Sequence, residues 1–253
     1  MAIKSLHVLF SGWQANVEKE YFTFRQNRGE KIASSFLCFL IKTDTGNILV
    51  DTGVHPDEAA EMAKVTGDEI KINSKDFLPA NLESLGTSLK EINTVIMTHL
   101  HWDHAGWLNH IPSANVIVQK EEYRFALEPP PYASNFYLPT NYHSGLTWKL
   151  IDGDHIFMPG ITLIFTPGHT PGSQSVMVDL PDSGTILITG DAGFLQENFE
   201  KEFIPICFGN TRQALVSIRR LNIWSKARKA PLFTTHDMAY WNQKMKKSPE
   251  AYT

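Results

Sequence analysis

Residues Thr98-His99-Leu100-His101-Trp102-Asp103-His104-Ala105-Gly106 place three imidazoles and a carboxylate close together on one short stretch. The preceding run, Thr94-Val95-Ile96-Met97, is uncharged, β-branched and too short for a helix, so it reads as a buried strand. In extended chain the side chains alternate, and His99 and His101 point the same way from the strand's end. Asp103 would continue that row, but His104 breaks the alternation, which predicts a turn there. The loop thus carries two donor pairs, His99/His101 and Asp103/His104. Crowding four such groups is costly unless a cation pairs them. Imidazole nitrogen and carboxylate oxygen are the donors that zinc and similar borderline ions take, and two neighbouring ions would use both pairs.

Three later stretches repeat one pattern, an apolar strand that ends at a potential ligand. Ile161 to Gly168 runs into His169, Ile186 to Gly190 into Asp191, and Leu232 to Thr235 into His236. Donors at strand ends sit on a rigid scaffold and stay reachable from one sheet edge. Pro167, Gly168, Pro171 and Gly172 make the turn around His169 stiff. Asp51, in Asp51-Thr52-Gly53, also ends a strand; it is either a turn or cap residue or a carboxylate behind a ligand histidine. His7, His55, His110, His143 and His155 belong to no constellation and are read as structural.

Outward from these motifs, strands are expected at 6–10, 35–41, 48–50, 115–118, 161–165, 173–178, 185–189 and 231–234. A hairpin turn is expected at 43–47. Helices are expected at 56–65, 81–85 and 120–127, and at 212–226, where Ala214, Leu215, Ile218, Leu221 and Trp224 recur at helical intervals. Residues 128–148 lack a period and read as a binding loop or lid. Strands in two groups with helices between them indicate a mixed, layered α/β fold. No repeat or linker divides the chain, so residues 1–253 are expected to form a single domain.

A net charge of -4 and the absence of a basic run argue against nucleic acid as a partner. No signal peptide and no membrane-spanning run are evident, and the two cysteines, Cys38 and Cys207, read as buried free thiols. A cytoplasmic protein with no membrane partner is the expectation.

His99-Leu100-His101-Trp102-Asp103-His104 resembles the H-x-H-x-D-H motif of the metallo-β-lactamase superfamily. The resemblance extends through Asp51-Thr52-Gly53, Thr166 to Gly172, Gly190-Asp191 and Thr235-His236, roughly residues 36 to 237. It implies an αββα four-layer sandwich with two Zn2+, or other divalent ions, at the sheet edge. It further implies that His99, His101 and His169 hold one ion, Asp103, His104 and His236 the other, and that Asp191 bridges both. A metal-bridging hydroxide would attack a carbonyl carbon, and Asp103 would carry the proton to the leaving group.

Within the superfamily, the chain looks most like the N-acyl homoserine lactonases, in length, in Glu197-Asn198-Phe199 and in Ile117 to Tyr123. The aspartate at 191 disfavours the zinc β-lactamases, which usually place a cysteine nearby. The stretch after His236 is short for a glyoxalase II-type thioesterase, and His101 argues against the flavodiiron proteins. The resemblance therefore implies a lactone or ester as the small-molecule substrate, with a homodimer possible. Hydrolysis of another lactone or a thioester, a diiron redox role and a degenerate binding role are the alternatives. One departure stands out: where those lactonases commonly carry a tyrosine whose hydroxyl meets the substrate carbonyl, this chain has Phe194. Tyr137, Tyr142 and Tyr240 are candidates to replace that donor. Trp102, Phe194, Phe22 and Tyr137 are the expected substrate contacts, and the aromatic wall favours an apolar-tailed or ring-bearing substrate over a polyanion.

Overall fold

The computed structural model describes residues 2–142 and 145–253; His143 lies outside the described residues. The chain opens with β1 (Ile3–Glu18), β2 (Lys31–Thr43) and β3 (Asn47–Val50), followed by α1 (Pro56–Thr66), β4 (Glu69–Lys71) and α2 (Leu78–Ser84). β5 (Ile92–Ile96) leads into the one-turn α3 (Trp102–Ala105), then β6 (Asn115–Gln119), α4 (Lys120–Leu127) and β7 (Thr147–Ile151). The second half holds β8 (His155–Met158), β9 (Ile161–Phe165), β10 (Gln174–Leu180) and β11 (Gly184–Gly190). It closes with α5 (Gln196–Lys201), α6 (Thr211–Arg228), β12 (Leu232–Thr234) and α7 (Met238–Lys244).

Two mixed sheets result. The first runs β4-β1-β2-β3-β5-β6-β7 and the second β12-β11-β10-β9-β8. Their facing sides share one core. Leu6, Val8, Leu37, Phe39, Ile41, Val50 and Ile96 from the first sheet meet Ile161, Leu163, Val176, Val178, Ile186 and Ile188 from the second. The spacing of two along each strand produces this face. The alternate residues of the first sheet, among them Leu9, Leu40, Leu49, Val95 and Val116, pack on Leu78, Leu82, Leu108 and Ala126. Those of the second sheet, Ile164, Met177 and Leu187, pack on Ile218 and Leu221 of α6. Each fully buried aliphatic or phenyl side chain contributes roughly 1.5–3 kcal/mol of transfer free energy. The layers are helix, sheet, sheet, helix, which is the αββα sandwich.

Local signals explain the outer layers. Asn210 caps α6 by accepting a hydrogen bond from Gln213 N at 3.0 Å, and Ala214, Ser217, Ile218 and Leu221 recur at the spacing of one buried face. His55 caps α1 ahead of Pro56, and Gly67 ends it in the left-handed conformation. β4, β7 and β8 escape the pattern reading because they are short strands at sheet edges, with few buried positions. β1 extends well beyond 6–10. Register shifts between Phe10 and Trp13 and between Gln14 and Val17 break its alternation, so its second half does not look like a strand.

Candidate metal centre

The strand ends that carry the donors meet along one edge of the sandwich. β3 and β5 run parallel and deliver Asp51 and His99. β11 runs parallel to β12 and delivers Asp191 beside His236, while β9 leads into His169. The two sheets are tied together at this edge: Gln174 N donates to Thr98 O at 2.9 Å, and Gln174 Nε2 donates to Met97 O at 2.7 Å. The chain turns into α3 at Trp102, two residues before the turn expected at His104, so Asp103 already lies on a helical turn with His104.

Six donor atoms gather into two clusters around one carboxylate. His101 Nδ1 lies 3.0 Å from His99 Nε2 and 3.1 Å from His169 Nε2. Asp191 Oδ2 faces this trio, 3.6 Å from His99 Nε2 and 3.4 Å from His169 Nε2. Asp191 Oδ1 faces the other way, 3.3 Å from His104 Nε2 and 3.2 Å from His236 Nε2. Asp103 Oδ2 completes that second cluster at 3.8 Å from His104 Nε2 and 3.7 Å from His236 Nε2. Ligand-type atoms of His99, His101 and His169 lie within 4.8 Å of one another, as do those of Asp103, His104 and His236.

The hydrogen bonds behind the rings set which nitrogen keeps its lone pair. His104 Nδ1–H donates to Asp51 Oδ2 at 2.8 Å, His169 Nδ1–H to Ile206 O at 2.7 Å and His236 Nδ1–H to Ser35 O at 2.9 Å. Thr98 Oγ1 donates to Asp51 Oδ2 at 2.8 Å, so it accepts from His99 Nδ1–H at 3.1 Å. In the neutral ring each arrangement leaves Nε2 unprotonated and aimed into the clusters. Asp51 is therefore the carboxylate behind a ligand-type histidine, the second of its two sequence readings. It holds the site's outer rank in a left-handed backbone conformation (φ 59°).

Electrostatics agree with this geometry. Burial drives the His99 and His101 pKa values well below the usual imidazole range and lowers that of His169. Burial also acts against charge on His104 and His236, but Asp191 and its neighbours outweigh it, and both are raised. Asp191 is held well below the carboxylate range: burial opposes this, and the facing His104, His236 and His99 prevail. His104 Nε2 is buried without a hydrogen-bond partner among the described residues. Three imidazoles that burial keeps neutral and a buried anion among them call for positive charge at the centre. The donor chemistry, nitrogen and carboxylate oxygen without thiolate, fits a pair of borderline divalent ions.

The clusters form the floor of a cavity of about 650 Å³. Its lining includes the aromatic side chains Phe22, Phe36, Trp102, Phe136, Phe194 and Phe208 and the polar Gln14, Glu18, Lys31 and Asp68. Phe194 packs edge-on against both His169 and His236, with centroids at 5.2 and 4.8 Å. Trp102 stands edge-on to Phe36 at 5.5 Å.

The expectation that Tyr137 contacts substrate is corrected. It is 1% exposed, does not line the cavity, and its hydroxyl donates to Glu122 Oε1 at 3.0 Å. The Tyr142 hydroxyl is likewise bound, to Ala126 O at 3.2 Å, and Tyr240 packs on the inter-sheet core. None of the three tyrosines lines the cavity in place of the hydroxyl absent from Phe194. His55 and His110 stack on each other beside Trp107, away from the clusters. Sequence reading missed Phe36 and Phe208 as wall residues and the fully buried Glu122, whereas Phe136 falls in the 128–148 stretch read as a binding loop. A charged residue at an inward position of α4, four before buried Ala126, is the signal that marks Glu122.

The family model of the metallo-β-lactamase superfamily matches residues 37–247. The chain is 32% identical over 244 residues to an N-acyl homoserine lactonase of Bacillus thuringiensis, covering 94% of this chain and 95% of that protein. It is 34% identical over 226 residues to the N-acyl homoserine lactonase AttM of Agrobacterium fabrum (strain C58 / ATCC 33970), covering 85% and 86% of the two chains. It also superposes, with a TM-score of 0.88, 30% identity and complete coverage of both chains, on an N-acyl homoserine lactone hydrolase with the product N-hexanoyl-L-homoserine bound at the catalytic metal center. Sequence, fold and donor geometry agree, and the chain belongs to the metallo-β-lactamase superfamily, in the branch of hydrolases that holds the N-acyl homoserine lactonases.

Proposed function

We propose that this protein is a two-zinc lactonase that opens the ring of N-acyl homoserine lactones. The observation that carries this reading is the placement of Asp191: its two oxygens face two separate donor clusters, at 3.2–3.3 Å and 3.4–3.6 Å, on the floor of an aromatic cavity. His99, His101 and His169 would hold one ion, Asp103, His104 and His236 the other, and Asp191 would bridge them. When bound, such a pair supplies Lewis acidity for the substrate carbonyl and a water acidic enough to ionise near neutral pH. The chain's own residues do the rest. Asp51, Ile206 O and Ser35 O keep three imidazoles in the metal-binding tautomer and fix their direction. Asp103 lines the cavity, and its oxygen outside the cluster would carry a proton to the departing ring alkoxide. The aromatic wall excludes water from an acyl tail and suits an apolar chain.

The test is turnover by zinc-loaded protein of N-acyl homoserine lactones of several chain lengths, with simple lactones and thioesters as comparators, followed by proton release. Preference for the N-acyl homoserine lactones supports the reading; turnover of thioesters alone ends it. Metal analysis that returns iron with a coloured spectrum would point to the redox alternative.

A further inference from the structure

Glu122 is 0% exposed, lies at the third position of α4 and takes no part in the chemistry described above. Among the described residues it accepts four hydrogen bonds, all from segments that carry or back the three-histidine cluster. Leu100 N, between His99 and His101, donates to Oε1 at 3.0 Å. The Tyr137 hydroxyl donates to the same oxygen at 3.0 Å, and the Tyr137 ring stands edge-on to His101 at 4.7 Å. On the other oxygen, Thr170 Oγ1, adjacent to His169, donates to Oε2 at 2.5 Å, and Gly172 N donates at 3.3 Å. The approach is close enough that a Cβ on Gly172 would lie 2.1 Å from Glu122 N. One side chain therefore ties the loop after β5 to the loop after β9, the two loops that must stay in register for His99, His101 and His169 to converge. None of its four bonds reaches Asp103, His104 or His236.

The charges show the same asymmetry. The second cluster has Asp103 of its own and Asp51 directly behind His104. The first cluster has three imidazoles and a share of Asp191; Asp51 reaches it only through Thr98, whereas Glu122 bonds both of its loops directly. We propose that Glu122 is the positioning residue of the three-histidine half: it sets the metal affinity there independently of the other half. The inference rests on the two-cation reading above.

The test is zinc release from the holoprotein to a chromogenic chelator, with stability followed in parallel. Glu122→Gln keeps the size of the side chain but turns one oxygen into a donor. The Thr170 and Tyr137 hydroxyls can rotate to accept from it, whereas the backbone N–H of Leu100 or Gly172 cannot and loses its partner. Wild type is expected to release two zinc ions per chain; failure of that control would sink the two-cation reading itself. In Glu122→Gln, one ion should be held about 10- to 100-fold more weakly, a typical cost of losing an outer partner of a ligand, and the other within about two-fold of wild type. An anomalous difference map should keep the peak at Asp103, His104 and His236. Thr170→Val, which removes a single donor, should show a smaller shift of the same ion and decides the matter if Glu122→Gln does not fold. Equal weakening of both ions alongside a fall in Tm, or two unchanged affinities, would overturn the proposal.

Discussion

Replacing Asp51 with asparagine changes one heavy atom and is expected to weaken metal binding in the second half of the site. Asp51 Oδ1 accepts from Thr98 N at 2.7 Å, while Oδ2 accepts from Thr98 Oγ1 at 2.8 Å and from His104 Nδ1 at 2.8 Å. An amide has only one accepting oxygen. If that oxygen stays with the Thr98 amide, the new NH2 group confronts His104 Nδ1–H. The imidazole escapes by moving its proton to Nε2, the atom that faces Asp191 and Asp103, and a protonated Nε2 has no lone pair for a metal. If the amide flips, the buried Thr98 N–H loses its acceptor, and the loop carrying His99 to His104 shifts. Losses of this kind run about 10- to 100-fold in metal affinity, or about 1.4–2.8 kcal/mol. The assay is zinc competition against a chelator of known affinity, with turnover measured at each zinc level. Weaker binding of one ion, with activity recovered at high zinc, is expected. An Asp51→Asn protein that holds both ions with wild-type affinity would refute the tautomer reasoning.

Phe194→Tyr places a hydroxyl at the cavity wall between His169 and His236 and should raise kcat/KM on an N-acyl homoserine lactone about ten-fold, the worth of one hydrogen bond to a charged oxygen. An unchanged or lower value would show that the wall places that hydroxyl out of reach. Burial pushes the Glu58 carboxyl up to about 8, and its Oε2 has no hydrogen-bond partner among the described residues. A raised carboxyl binds its proton more tightly in the folded state, so the stability it contributes is complete below the unfolded pKa near 4.5 and is lost as pH rises towards 8. Denaturation between pH 5 and pH 8 should therefore show Glu58→Gln gaining on wild type by on the order of 3 kcal/mol at the upper end; parallel curves would refute the assignment. Gly168→Ala should destabilise the protein by about 3 kcal/mol and weaken zinc binding. Its Cβ would lie 2.3 Å from Ala214 Cα at a φ of +146°, so the His169 loop would have to lift from α6. A Tm equal to wild type would contradict this.

Much of the site was legible because each of its donors follows a strand, and strands with β-branched runs announce themselves. The short spacing from His99 to His104 carries chemistry that no structural role explains, and the positions of His169, Asp191 and His236 follow from the same strand-then-donor pattern. Asp51 could be placed in a turn, but only the fold puts it 2.8 Å from His104. Tyr137 illustrates the opposite case. Its segment reads as an aperiodic lid, and nothing in that composition distinguishes a tyrosine facing substrate from one whose hydroxyl closes on buried Glu122. Edge strands β7 and β8 were hidden for a related reason, since short strands with a single buried position each offer too little apolar pattern to be read.

The central claim is that seven side chains converge on two cations rather than one or none. The most direct test is an anomalous difference map at the zinc edge from crystals of protein purified without added chelator. Two peaks about 3.5–4 Å apart are predicted, one among His99, His101 and His169 and the other among Asp103, His104 and His236, with Asp191 between them. A single peak, or none, would contradict the account.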